Sequence, residues 1–149
     1  MLKRIAEDIK NLKKSCEQLY IDDNNVIFFI LNGPKDTCYE NGKWKIRIEM
    51  SKEYPYKSPS VGFVTPIFHP NVDQKSGSIC LNVLNQTWTP IYNLLHIKET
   101  FLPQLLTYPN PDDPLNTEAA GIYNSNINEF TSIVKYNIKK NCSNIHLKK

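Results

Sequence analysis

Residues 43–50, Lys-Trp-Lys-Ile-Arg-Ile-Glu-Met, alternate charged and apolar side chains almost without a break. Successive side chains of a strand point to opposite faces. Trp44, Ile46, Ile48 and Met50 therefore face one way, and Lys43, Lys45, Arg47 and Glu49 the other. One wet face indicates an antiparallel sheet, because parallel strands are covered on both sides. The rest of the chain must supply neighbouring strands and an apolar layer for the Trp44 face.

Both are visible. Val26–Leu31, VIFFIL, is β-branched and aromatic and stops at Asn32-Gly33-Pro34. Tyr39-Glu40-Asn41-Gly42 reads as a hairpin turn, since Asn-Gly tolerates positive φ at both central positions. Ser60–Val64 is a further short strand. Three or four strands in a meander are predicted over about residues 26–64. Before them, Leu2, Ile5, Ile9 and Leu12 recur at spacings of three and four, which predicts a helix over 1–15 with those residues on one face.

Helical periodicity returns after Asn93, which can cap. Leu94, Leu95, Ile97, Phe101, Leu102, Leu105 and Leu106 are apolar nearly all round, as in a buried helix. Pro103 conflicts with this: inside a helix it removes a hydrogen bond and costs about 3 kcal/mol, so a kink or a later start is expected. Tyr108–Asn116, with Pro109, Pro111 and Pro114, is a rigid loop. Asn116 caps a short helix ending near Tyr123. A last helix runs from about Ile127 to Lys140, with Phe130, Ile133, Val134, Asn137 and Ile138 on one side. Strands segregated from helices indicate an α+β fold. The expected order is an N-terminal helix, a four-stranded antiparallel meander sheet, a long irregular loop over 65–92, and helices over about 95–140.

The 149 residues form one domain, 1–149, and 40% hydrophobic with 11% aromatic residues can build a core. No run approaches the ~18 apolar residues that span a bilayer. MLKRIAEDIKNLKKS lacks the apolar stretch of a secretory signal. A soluble, intracellular monomer without a membrane partner is expected. Charge is uneven: residues 1–15 carry +3, residues 135–149 carry +5, and the middle carries −5. The body lacks the interleaved basic and aromatic residues of a nucleic-acid site, so solvation or an acidic protein face fits the basic ends better.

The four cysteines, Cys16, Cys38, Cys80 and Cys142, are widely and irregularly spaced, and His69, His96 and His146 do not sit at metal-ligand spacing. No metal site is expected. Cys80 stands out, because it lies in the long loop, in Ser76-Gly77-Ser78-Ile79-Cys80-Leu81-Asn82. Free cysteines are often simply buried. His69-Pro70-Asn71, nine to eleven residues upstream, adds polar partners. A Cys-His-Asn hydrolase is one reading, but such enzymes gather the three from distant parts of a larger chain.

Residues 69–81, HPNVDQKSGSICL, together with Trp88-Thr89-Pro90 and YPNPDDPLN (Tyr108–Asn116), resemble the core of a ubiquitin-conjugating enzyme, an E2. The similarity extends to LKRIAEDIKNL, Gly33-Pro34, YENGKW (Tyr39–Trp44) and YPYKSP (Tyr54–Pro59), over roughly residues 1–140. Asn85-Gln86-Thr87-Trp88 and FLPQLL (Phe101–Leu106) most resemble the H-type E2s, which also carry a proline in the central helix.

The resemblance implies a UBC-like fold. It also implies that Cys80 accepts ubiquitin's C-terminal glycine as a thioester from the activating enzyme E1. Cys80 then passes it to a substrate lysine, with a RING or U-box type E3 ligase. ATP is consumed by E1, so no cofactor is implied here. Cytoplasm or nucleus is the implied location. Asn71 matches an asparagine credited with stabilising the oxyanion or holding the active-site loop. Asp113 matches an acid at the gate of the site, which positions the incoming lysine; Asp112 beside it is expected to be solvated. His69 matches a structural histidine, and Pro70 and Leu81 belong to the same structural motif. Lys3 and Arg4 match first-helix positions that contact E1 and E3. Tyr56 and Pro90 match the two loops that hold a RING or U-box. Tyr56 could also simply pack against Pro55 and Pro59.

Three departures limit the likeness. Asn82 stands where many members have Asp. Glu7 occupies a position often basic in members with broad E3 choice. The chain ends NIHLKK (Asn144–Lys149), where H-type E2s usually carry an acidic tail, so recruitment of basic substrates is not carried over. Two alternatives remain open: a non-catalytic E2-like ubiquitin-binding module, and an E2 for another ubiquitin-like modifier.

Overall fold

A computed structural model describes residues 2–147, and for Leu81 the backbone alone. The chain runs α1 (Leu2–Ser15), β1 (Leu19–Ile21), β2 (Ile27–Asn32), β3 (Lys43–Glu49), β4 (Ser60–Phe63), α2 (Leu81–Thr87), α3 (Leu94–His96), a π-turn (Ile97–Phe101), α4 (Leu102–Thr107), α5 (Thr117–Ser125) and α6 (Ile127–Asn141). The four strands lie in sequence order, each antiparallel to the next. This is the α+β meander expected.

The alternation in β3 does what its period requires. Trp44, Ile46 and Ile48 are buried, while Lys43, Lys45, Arg47 and Glu49 are exposed or half-buried. Ile46 pairs with Phe29 on one side and Phe63 on the other. This inner face forms one cluster with Leu12, Leu94, Ile97, Phe101, Leu102, Phe130 and Val134. Each such fully buried side chain contributes roughly 1.5–3 kcal/mol. On the outer face Tyr20 stacks on Phe28 at 6.1 Å, and Lys45 Nζ lies 4.7 Å from the Phe28 ring centroid.

Several boundaries differ from the sequence reading. The sheet starts at Leu19, not near residue 26: β1 has only three residues, too few to show a period. Leu2 is 84% exposed, so the buried stripe of α1 begins at half-buried Ile5 and is complete at Leu12. The β2–β3 connection is a loop over residues 33–42 rather than a two-residue turn, closed by Gly33 N–H donating to Gly42 O at 2.9 Å. Asn41 has φ 75° as its sequence suggests, but Gly42 is not left-handed. Gly42 is needed for room instead, since a Cβ there would sit 2.1 Å from the Trp44 ring. Residues 65–92 are not irregular throughout, because Leu81–Thr87 forms α2.

The Pro103 conflict is resolved by the π-turn. Leu102 N–H reaches Ile97 O, five residues back, just before the residue that has no N–H to give. The wider turn absorbs the break, which is the expected kink in another form. Asn93, Asn116 and Asn126 cap the following helices, accepting from the N–H groups of His96, Ala119 and Glu129. Among the described residues no helix is long and apolar enough to cross a membrane.

Candidate active site

Residues 77–80 run along the free edge of β4. Phe63 N–H donates to Gly77 O at 2.7 Å and Ile79 N–H to Val61 O at 3.2 Å. Gly77 has φ 74°, and a Cβ there would meet Phe63 O at 1.9 Å, so only glycine lets this segment approach the sheet. Ile79 is buried and pairs in turn with Val72 in an antiparallel bridge. The same register sets Asn71 across from Cys80. The strand-like segment ends there: Cys80 precedes the first turn of α2 with its side chain half-buried.

The segment opposite is held from four directions. Tyr39, itself fully buried, donates its hydroxyl to Phe68 O at 2.6 Å. His69 is fully buried, accepts Asn71 N–H at Nδ1 (2.9 Å) and sets Nε2 2.8 Å from Leu105 O. Those partners fix the neutral Nε2–H tautomer. Burial lowers the His69 pKa to about 4, against the hydrogen bond to Leu105, so the ring is uncharged near neutrality. Pro70 O accepts Leu115 N–H (2.9 Å) and Asn116 N–H (3.0 Å). Asn71 Nδ2 donates to Asn110 O (2.7 Å) and Asp113 O (3.2 Å), and its Oδ1 accepts Asn110 N–H (2.8 Å).

His69, Pro70 and Asn71 are thus a buried brace between the Cys80 segment and the 108–116 loop. Both amide hydrogens of Asn71 are used by that loop, so this conformation shows it bracing rather than presenting a free donor. Asp113 lies on the braced loop with its side chain exposed, and Asp112 beside it is also exposed. Of Leu81 only the backbone is described, as the first residue of α2. Tyr39 and Asn110 were not singled out by sequence reasoning. Their partners are 29 and 39 residues away, and no local pattern marks them.

The expected partner positions separate into two kinds. Lys3 is exposed, as are Pro90 and Tyr56, the latter at 74%. Tyr56 therefore does not pack into its own turn. Ile91, beside Pro90, is 88% exposed and joins them as a third apolar side chain that the sequence reading passed over. Arg4 instead turns inward. It donates to Asp8 at 2.7 Å, Pro90 O at 3.0 Å and Tyr92 O at 2.6 Å.

The other three thiols are half-buried as well. Burial raises the pKa of Cys16, Cys38 and Cys142. Cys16 and Cys142 line a separate cleft of about 670 Å³ with Lys43 and Lys98. Among the described residues no group of three or more His, Cys, Asp or Glu could hold a metal ion.

Comparison with known proteins identifies this architecture. The family model "Ubiquitin-conjugating enzyme" matches residues 2–138. Arabidopsis thaliana Ubiquitin-conjugating enzyme E2 5 is 57% identical over 122 residues, which are 80% of this chain and 66% of that protein. Saccharomyces cerevisiae Ubiquitin-conjugating enzyme E2-24 kDa is 46% identical over 147 residues, 93% of this chain and again 66% of that protein. The solved E2 domain of a Toxoplasma gondii ubiquitin conjugating enzyme superposes with a TM-score of 0.81 at 26% identity, covering 95% of this chain and 99% of that one. The chain belongs to the ubiquitin-conjugating enzyme family. It spans about two thirds of the length of the two curated relatives.

Proposed function

We propose that this protein carries ubiquitin as a thioester on Cys80 and delivers it to lysine amines. The observation that supports this most directly is the position of Cys80. It is half-buried rather than sealed, at the end of a strand-like edge and across from a rigid polar brace. In the first step the Cys80 thiolate attacks the carbonyl carbon of the thioester held by E1. A carbon–sulfur bond forms to Cys80, and the E1 thiolate leaves. One thioester replaces another, so the step is nearly isoenergetic and needs no strongly acidic thiol.

The second step is the demanding one. A neutral lysine amine attacks, a tetrahedral oxyanion forms, and the carbon–nitrogen bond replaces the carbon–sulfur bond. The lysine arrives as an ammonium and loses one proton to water before it attacks; Cys80 then leaves as thiolate, and the second proton of the amine passes to water or to that thiolate. The brace contributes by fixing the 108–116 loop, which carries Asp113 where it can orient the incoming ammonium and favour its desolvation. Asn71 serves the step through this loop. A role as oxyanion donor would require it to release the longer of its two donated bonds, the one to Asp113 O.

E1 and a RING or U-box E3 are the partners in this scheme, with protein substrates beyond them. ATP is spent by E1, and the chain itself takes no cofactor. Tyr56, Pro90 and Ile91 are exposed apolar side chains on two loops, of the kind suited to anchoring such a ligase, and Lys3 on α1 is an exposed cation. Cytoplasm or nucleus, where these partners act, is the assigned location.

One assay tests the reading. The protein is incubated with E1, ATP and ubiquitin and resolved without reducing agent. A band heavier by one ubiquitin, removed by thiol, is expected. No band with any modifier would indicate a binding module. A band only with another modifier and its own E1 would reassign the specificity.

A further inference from the structure

Arg4 lies in the first turn of α1, yet two of its acceptors are 86 and 88 residues away in sequence. One nitrogen, Nη2, donates to the carbonyl oxygens of Pro90 (3.0 Å) and Tyr92 (2.6 Å). Another, Nε, donates to Asp8 Oδ2 at 2.7 Å. Asp8 is only 4% exposed and also accepts the Tyr54 hydroxyl. The guanidinium carbon lies 5.7 Å from the Tyr54 ring centroid. Tyr54 packs at 5.8 Å against Trp88, whose Nε1–H donates to Pro55 O at 2.8 Å. One half-buried ion pair, with Asp8 buried and Arg4 partly exposed, therefore ties α1 to both loops that carry the exposed apolar side chains.

The Thr89–Tyr92 loop is anchored at its Tyr92 end, where the ring stacks on His96 at 3.9 Å and meets Trp88 edge-on at 6.1 Å, but its Pro90–Ile91 tip has no such packing. Its own bonds are Tyr92 N–H to Thr89 O at 3.0 Å and a long Ile91 N–H to Thr89 Oγ1 at 3.4 Å. Ile91 and Pro90 are exposed and gain nothing from the core. The carboxylate takes Nε and the two carbonyls take Nη2, separate donors of one planar fork. A lysine ammonium at the same place is a single point charge on a different stem and cannot span both.

We infer that Arg4 is a positioning residue: it holds the Thr89–Tyr92 loop in the shape that displays Pro90 and Ile91, and so governs ligase docking without touching the ligase. The consequence for docking rests on the E2 reading above; the hold on the loop does not. Preorganisation of this kind strengthens binding by removing the ordering cost of the loop. The first helix is then part of the ligase surface through its inward side, while Lys3 remains its outward cation.

Two measurements on Arg4→Lys and Arg4→Ala decide the matter. The first is amide hydrogen exchange in the isolated protein. Tyr92 N–H is expected to exchange about tenfold faster or more in both variants, while Leu12 N–H in the core part of α1 holds its rate. The second is affinity for a RING domain that stimulates discharge of the unaltered protein, which is expected to fall about tenfold in both. Unchanged exchange at Tyr92 would overturn the inference. So would an equal rise at Leu12, which would mean general destabilisation. Full recovery of ligase affinity in Arg4→Lys would show that Arg4 acts as a contacting charge. Should the protein carry no ubiquitin at all, the exchange measurement still decides the positioning role on its own.

Discussion

Asn71 and Asn110 are paired like two facing amides. The side chain of Asn71 accepts the backbone N–H of Asn110 at 2.8 Å and donates to its carbonyl at 2.7 Å. Asn71 is fully buried, whereas Asn110 is exposed, so the bonds run from the interior to the surface loop. The pair is one of the direct links between the Cys80 side of the site and the loop that carries Asp113, beside those of Asn71 to Asp113 O and of Pro70 O to Leu115 and Asn116.

Removing the pair should separate the two chemical steps. Asn71→Ala removes the partner of the Asn110 backbone N–H and C=O and so loosens the loop, Asn110 itself being exposed to water. Single-turnover discharge of the charged protein to free lysine is expected to slow by about tenfold or more, with charging by E1 affected far less. A loss approaching ~10²–10³ would add an oxyanion contribution to the bracing one. Equal slowing of both steps would count against any special role in aminolysis.

His69 makes stability depend on pH. Its folded pKa is about 4, below the ordinary 6.5. Between these values the unfolded chain binds the extra proton, so stability is full above pH 6.5 and falls as pH drops toward 4. From pH 7 to pH 5 the loss assigned to this ring is about 2 kcal/mol. His69→Gln, which has no such proton to gain, should show a curve flatter by that amount in urea titrations at the two pH values. Parallel curves would mean that the ring charges without penalty.

Gly77 and Gly121 should respond to alanine in opposite directions. At Gly77 the backbone is left-handed, and the added Cβ would fall 1.9 Å from Phe63 O. Gly77→Ala is expected to cost about 2 kcal/mol or more and to lower Tm by roughly 4–8 °C. At Gly121, inside α5, a Cβ meets nothing within 4 Å. Gly121→Ala should stabilise by about 0.5–1 kcal/mol through helix propensity and the lower entropy of the unfolded chain. Thermal unfolding of the two variants checks both signs.

These contrasts show what the sequence carried. The period of residues 43–50, the stripe through Leu12 and the capping asparagines 93 and 116 are local patterns, and they were readable as the strand, helix and helix starts they become. β1 and α2 were not, because three and seven residues are too short for a period to emerge. The π-turn was anticipated only as a disturbance at Pro103. In the site, Cys80 and the His69–Asn71 segment were marked by their motif. The job of Asn71 depends on Asn110, and the inward turn of Arg4 depends on two carbonyls more than 80 residues away. Such non-local pairs leave no trace in spacing or composition.

The role of Cys80 is open to one decisive measurement among the four thiols. A variant with Cys16, Cys38 and Cys142 all replaced by serine, and the single variant Cys80→Ala, are each incubated with E1, ATP and ubiquitin and read on a non-reducing gel. The triple variant should form the thiol-sensitive adduct at close to the unaltered rate, and Cys80→Ala should form none. An adduct that survives in Cys80→Ala, or vanishes in a folded triple variant, would contradict the assignment of Cys80 as the ubiquitin carrier.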